Sequence, residues 1–283
     1  MKGGSQGGHT PMGSARAQTT TVPATSGTAE SATYSAAKAR TDDTTRSPAE
    51  LHDPFYALTP RRPLQPWLIG QVALLTVDVQ VLAADKGGWM GRLASAAGLD
   101  NLLAERWANI DAAIPSVVRL QAEFRRAGAE VIHIRTAFLK SDFSDAGRSY
   151  MPHPSTAVVL PDASDYEFLV PVAPLVDEMV FSKRSSSAFN STDLDDVLRR
   201  MKLESLVVCG VVTDGCVELT ARDAADRGYE VILVSDACAS SRQQTHLDAL
   251  GRMSEGGLIH LMEASSVVAR LRNAAHVRQQ AGA

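Results

Sequence analysis

Residues 205–238 read SLVVCGVVTDGCVELTARDAADRGYEVILVSDAC. Two apolar runs, SLVVCGV at 205–211 and EVILV at 230–234, bracket a helical stretch at 217–227 that Gly228 ends. Apolar runs of this length without alternation mark strands buried on both faces. A strand, a helix and a second such strand, joined by short turns, make a crossover between parallel strands.

The same alternation continues outward in both directions. Upstream, VALLTVDV at 72–79 predicts a first strand and EVIHIR at 130–135 a second. Between them Ile110, Ile114, Val117, Val118, Leu120 and Phe124 repeat at helical spacing over 110–127, and Gly128 ends the helix. A Ser-, Asp- and Pro-bearing stretch at 137–171 looks like an active-site insertion. EMVFS at 178–182 predicts strand three, followed by a helix at 193–201 that Ser191 or Thr192 caps. Downstream, helices at 244–253 and 266–273 flank a sixth strand at 258–262. The reading is an α/β domain over 72–283, a doubly wound, mostly parallel six-stranded sheet with helices on both faces.

Residues 1–48 contain no Leu, Ile, Phe or Trp. Such a segment buries too little apolar area to offset its ordering entropy, so a disordered tail is expected there. Residues 49–71 carry Phe55, Tyr56, Leu64 and Trp67 among four prolines, and read as an extended arm. Lys and Arg number 28 against 32 Asp and Glu, a net charge of -4. That balance leaves no electrostatic footprint for nucleic acid or an anionic membrane. No run approaches the length needed to span a bilayer. Three cysteines are too few, and odd in number, for a disulfide framework, so a soluble protein of a reducing cytoplasm is expected.

In doubly wound sheets ligands sit beyond the carboxyl ends of the strands. Three residues at such ends carry usable chemistry. Asp78 closes strand one, Lys183 follows strand three, and Cys216 lies past strand four where the next helix begins. A thiol at a helix start faces the positive end of the dipole, which favours the thiolate. Cys209, in mid-strand, and Cys238 read instead as small buried hydrophobes. An acid to take the thiol proton, a cation to hold the thiolate, and a nucleophile beside backbone N–H groups suit acyl transfer.

Three stretches, LLTVDVQ, SKRSSSAFNSTDLDDVL and VVCGVVTDGCVELTARDAADRGYEVILVSDAC, resemble the isochorismatase-like cysteine hydrolases, over about residues 70–272. The resemblance implies a catalytic triad of Asp78, Lys183 and Cys216. It implies a cis peptide between Val212 and Thr213, and an oxyanion site made by the turn Val212, Thr213 to Cys216. It further implies the strand order 3-2-1-4-5-6 and a homo-oligomer, a dimer or tetramer. Nicotinamidases of this family place an Asp and two His as metal ligands after strand two. Here that segment reads HIRTAFLKSDF, with His133 inside the strand and no second His before His153, so no metal and no other cofactor are expected.

The retained thiol favours acyl transfer on a small amide over vinyl-ether cleavage of the isochorismatase type. The stretches S-S-A-F-N-S-T and C-V-E-x-T resemble family members that act on ureido and carbamoyl compounds. Gln80, Phe138, Phe189, Arg135 and Glu218 are the candidate substrate-binding residues, with Lys140 and Arg184 as further cations. A receiver-like signalling domain has no need of Cys216, and a silent binding member of the fold has no need of the intact triad. VQVLAAD after strand one replaces the glycine-rich turn of a dinucleotide site, and no G-x-S-x-G elbow follows a strand.

Overall fold

Six strands form one sheet: β1 Val72–Val77, β2 Glu130–Thr136, β3 Met179–Lys183, β4 Ser205–Val211, β5 Glu230–Ala239 and β6 Ile259–Met262. Their order is β3-β2-β1-β4-β5-β6, and every pairing is parallel. The computed structural model describes residues 62–140, 142, 144–146 and 161–281. The tail expected over 1–48, Phe55 and Tyr56 of the arm, and His153 lie outside the described residues.

Every residue of β1 and β4 is buried, as their unbroken apolar runs require. Among the described residues seven α-helices accompany the sheet: α1 Val81–Ala84, α2 Trp89–Ala96, α3 Ala104–Ala127, α4 Leu194–Arg200, α5 Glu218–Asp226, α6 Gln243–Glu255 and α7 Ala264–Ala281. Helices α3 and α7 pack on each other over one face, and α5 and α6 over the other. The chain winds β1-β2-β3 in one direction and then returns to place β4 against β1. The crevice beyond β1 and β4 is therefore the topological switch point, where such sheets hold their ligands.

Three elements run well past their sequence pattern: α3, β5 and α7, the last of which continues from the expected end at 273 to Ala281. α3 begins at Ala104, six residues before the apolar repeat, because its buried stripe starts with a charged residue. That stripe runs Arg106, Ile110, Ala113, Val117, Leu120, Gln121 and Phe124. β5 continues past Val234 to Ala239, although Ser235 and Asp236 interrupt its apolar run. The Asp236 carboxylate accepts from the Ala264 N–H at the start of α7 and from Ser116 on α3, which makes a polar strand position useful. The pairing of β4 with β5 shifts register between Val208 and Gly210. Gly210 has a φ of +126°, and a Cβ there would lie 2.1 Å from the Val77 carbonyl oxygen. Only glycine lets β4 lie this close to the end of β1.

Of the arm, Trp67 is buried, its indole donates to Glu230 at the start of β5, and Arg270 stacks over its ring. At the other edge of the sheet, Glu178 gathers Arg125 in a two-pronged pair, the Leu175 N–H and the His133 ring. His133 is a satisfied core histidine: its second ring nitrogen meets Thr76, and Phe168 stands edge-on to it.

Burial alone would push the Glu178 carboxyl up, but Arg125, the Leu175 N–H and His133 together hold it at about 2, against an ordinary 4.5. A depressed carboxylate stabilises the fold in full above its unfolded value and loses that contribution as pH falls through its folded one. Glu178→Gln is therefore expected to cost on the order of 3 kcal/mol at pH 7. The gap between wild type and variant should close between about pH 4.5 and pH 2. Urea titrations across that range read it directly, and a gap that widens on acidification would contradict the assignment.

Candidate active site

Four neighbouring strands, β3, β2, β1 and β4, end side by side, and each contributes one group. Lys183 is the last residue of β3 and Thr136 the last of β2, directly opposite it in register. Asp78 follows the last residue of β1, with φ 53° and its N–H bonded to the Ile134 carbonyl. That backbone turn swings its carboxylate toward β2 rather than onward along β1. Cys216 lies in the wide turn Thr213–Val217 that joins β4 to α5.

The side chains converge on the lysine. Its Nζ stands 2.7 Å from Asp78 Oδ2, donates to Thr136 Oγ1 at 2.8 Å and to Cys216 Sγ at 3.3 Å. Thr136 in turn donates to Asp78 Oδ1 at 3.2 Å. Lys183 is fully buried and Asp78 is 3% exposed. A buried ammonium persists only beside an anion and well-placed acceptors, and this one has both. Cys216 is half-buried, and its sulfur is held by the lysine. The other two thiols are inert. Burial pushes Cys209 well above the ordinary thiol range and Cys238 up to about 12.

The turn that carries Cys216 is pinned on three sides. The Val212 carbonyl accepts from the Gly215 and Val217 N–H groups. The Thr213 hydroxyl bonds His246 Nδ1 at 2.8 Å, and burial holds that histidine's pKa below its ordinary value against the pull of Asp214. Ser240 donates to the Asp214 carboxylate at 2.6 Å. One correction concerns the backbone. The cis peptide joins Val211 to Val212, not Val212 to Thr213. β4 keeps its pairing with β5 as far as Val211, opposite Ala239, and the chain reverses at that strand's last peptide.

The expected substrate-binding residues divide. Phe138 packs with Leu82, Ala83 and Trp89 beside α1, next to the end of β1. Gln80 is fully buried and its amide is consumed: Oε1 accepts from the Thr136 N–H, and Nε2 donates to the Thr136 and Asp165 carbonyls. It therefore positions the threonine and is not open to a substrate. Glu218 is clamped by Arg222 and Arg252. Arg135 ties Ser182 to the Tyr166 carbonyl and lies over Phe168. Phe189 packs on Tyr229 and Arg227 near the start of β5, at the opposite ends of the strands from the site. Arg184 bonds Ser191, and exposed Lys140 pairs with Asp142.

Two residues escaped the sequence reading. Thr136 obeys the rule that found Asp78, a polar residue at the end of an apolar strand. Arg106 lies on the buried stripe of α3, where a charge breaks the hydrophobic repeat. Among the described residues, no group of three or more His, Cys, Asp or Glu is placed to hold a metal ion, and no helix is long and apolar enough to cross a membrane.

Residues 72–264 match the family model described as Isochorismatase domain. The ureidoacrylate amidohydrolase RutB of Azorhizobium caulinodans is 29% identical to this chain over 184 residues, 60% of this chain and 76% of that protein. A streptothricin hydrolase of Streptomyces noursei is 33% identical over 59% of this chain and 54% of its own length. The crystal structure of a cysteine hydrolase from Pseudomonas syringae pv. phaseolicola superposes with a TM-score of 0.60 at 24% identity, covering 76% of this chain and 99% of that one. The last likeness is one of fold.

Proposed function

The chain belongs to the isochorismatase family, and from that premise we propose that it is a cysteine hydrolase cleaving a C–N bond of a small amide or ureido compound. One observation carries the reading: a single buried ammonium joins a carboxylate at 2.7 Å to a thiol sulfur at 3.3 Å. Relatives whose names record amide or ureide hydrolysis support it.

In this reading Asp78 accepts the Cys216 proton and becomes neutral, and the Lys183 ammonium stabilises the thiolate that results. The thiolate attacks the carbonyl carbon, and the oxyanion forms against backbone N–H groups of the turn that carries Cys216. The C–N bond then breaks. Asp78 returns its proton to the departing nitrogen, which leaves as ammonia or an amine, and the acyl group remains on sulfur as a thioester. A water molecule gives its proton to Asp78 and its oxygen to the acyl carbon. The C–S bond breaks, the acid leaves, and Asp78 returns the proton to the sulfur.

The thiol favours this chemistry over the family's vinyl-ether branch. Acid-catalysed cleavage of a vinyl ether gains nothing from a thiolate, whereas amide hydrolysis divides into two easier steps through the thioester. Purified protein is expected to release ammonia from members of a small amide and ureide panel, and to carry an acyl adduct on Cys216 in acid-quenched samples. Efficient isochorismate cleavage, with no ammonia from the panel and no adduct, would overturn the proposal.

A further inference from the structure

Arg106 sits in the first third of α3 and is 5% exposed. Its Nη2 donates to the Ala83 carbonyl at 2.7 Å and meets Met90 Sδ, and its Nη1 donates to Ser241 Oγ at 3.0 Å. Nε is buried and has no hydrogen-bond partner. Among the described residues no carboxylate forms an ion pair with this guanidinium. Asp214, an acid that acts on it, is committed to Ser240. Burial accordingly lowers the affinity of Arg106 for its proton, and Asp214 and Cys216 only partly oppose that.

Those neighbours locate the group. Ala83 lies in the short helix that follows Asp78, Ser241 follows the residue that holds Asp214 in the nucleophile's turn, and Cys216 is close enough to act on the charge. The guanidinium thus lies beyond the ends of β1 and β5, beside Ser240, which holds the turn that carries the thiol. A guanidinium taken out of water with a donor unsatisfied is costly. A bound anion offsets that cost, and guanidinium geometry matches a carboxylate better than any other small group.

We propose that Arg106 receives a carboxylate carried by the substrate, so that the compound hydrolysed here is an amide or ureide bearing a carboxylate a few atoms from the scissile bond. This rests on the C–N hydrolase reading above and narrows it to a substrate class. Arg106 suits this role better than Arg135, Arg184 or Lys140, whose side chains are engaged with Ser182 and the Tyr166 carbonyl, with the Ser191 carbonyl and with Asp142.

The test compares matched compounds that differ only in charge: N-carbamoylglycine against its neutral amide, and succinamate against succinamide. Ammonia release gives kcat and KM for wild type. Titration calorimetry of the same compounds with Cys216→Ala protein gives Kd without chemistry. The carboxylates are expected to bind at least about 10-fold more tightly than their neutral partners. In Arg106→Gln that preference should vanish, read in KM and Kd for the carboxylates, and Arg106→Lys should restore part of it. Equal Kd values for charged and neutral compounds in the Arg106-bearing protein would overturn the proposal, whether or not Arg106→Gln folds. A preference that survives in folded Arg106→Gln would do the same. Ammonia release without discrimination sinks this inference and leaves the hydrolase reading standing. Carboxylate selection in binding without ammonia release leaves the Arg106 site standing and sinks the hydrolase reading.

Discussion

Replacing Cys216 with alanine is expected to lower turnover on the best amide or ureide by about 10^4-fold or more, the usual scale for losing a nucleophile. Folding should be untouched. The side chain is half-buried in a turn that Val212, His246 and Ser240 hold by other atoms, so its sulfur is not what keeps the turn closed. Cys216→Ser should fare nearly as badly. A serine hydroxyl titrates far above a thiol, and the carboxylate of Asp78 is too weak a base to ionise it. Cys209→Ser supplies the contrast. That residue is fully buried on β4, so the new hydroxyl should cost about 1–3 kcal/mol of stability while kcat stays near wild type. The comparison separates chemistry from folding within one assay and one melting series. Near-normal turnover in Cys216→Ala would remove the thiol from the mechanism altogether.

The fold was legible because its signals are redundant. β1 and β4 are buried on both faces, so nearly every residue in them is apolar, and the turn signals and helical stretches between such runs repeat the same message. Where a strand or helix carries a polar residue for a tertiary reason, the pattern under-reports it. Asp236 caps α7 from within β5, and Arg106 opens the buried stripe of α3. The site divides on the same principle. Asp78, Lys183 and Cys216 stand at strand ends, where a sequence rule looks for chemistry. Gln80 obeys that rule too, yet its amide is used up by Thr136 and Asp165, because a residue's hydrogen-bond partners belong to distant segments and are not encoded locally. Phe189 illustrates the second limit. Its distance from Lys183 in sequence is short, but the chain has already turned away toward Tyr229. Thr136 was within reach of the rule, and Arg106 was visible only as a charge out of place on a helix.

The pair Asp78 and Lys183 allows a sharper test, because its stability and its chemistry should respond in opposite ways. Removing the carboxylate in Asp78→Asn leaves a fully buried ammonium without its anion, and Lys183→Met leaves a carboxylate buried at 3% exposure without its cation. Breaking such a pair from either side typically destabilises a protein by about 3–5 kcal/mol. Replacing both partners with neutral groups of similar size removes the uncompensated charge, so the double variant should be more stable than either single one. Activity should not follow. If the two residues act with Cys216 as one unit, each single variant should lose about 10^3-fold or more, and the double variant should be little worse than the worse single. Independent roles would instead multiply the losses, to about 10^6-fold or beyond. Recovered stability with activity still at the floor of the worse single variant is the expected result, read by urea titration and ammonia release on the same preparations. Recovery of both would make the ion pair a structural clamp that merely adjoins the thiol. Multiplied losses would separate the base from the cation, and the lysine would then act on Cys216 through its 3.3 Å contact alone.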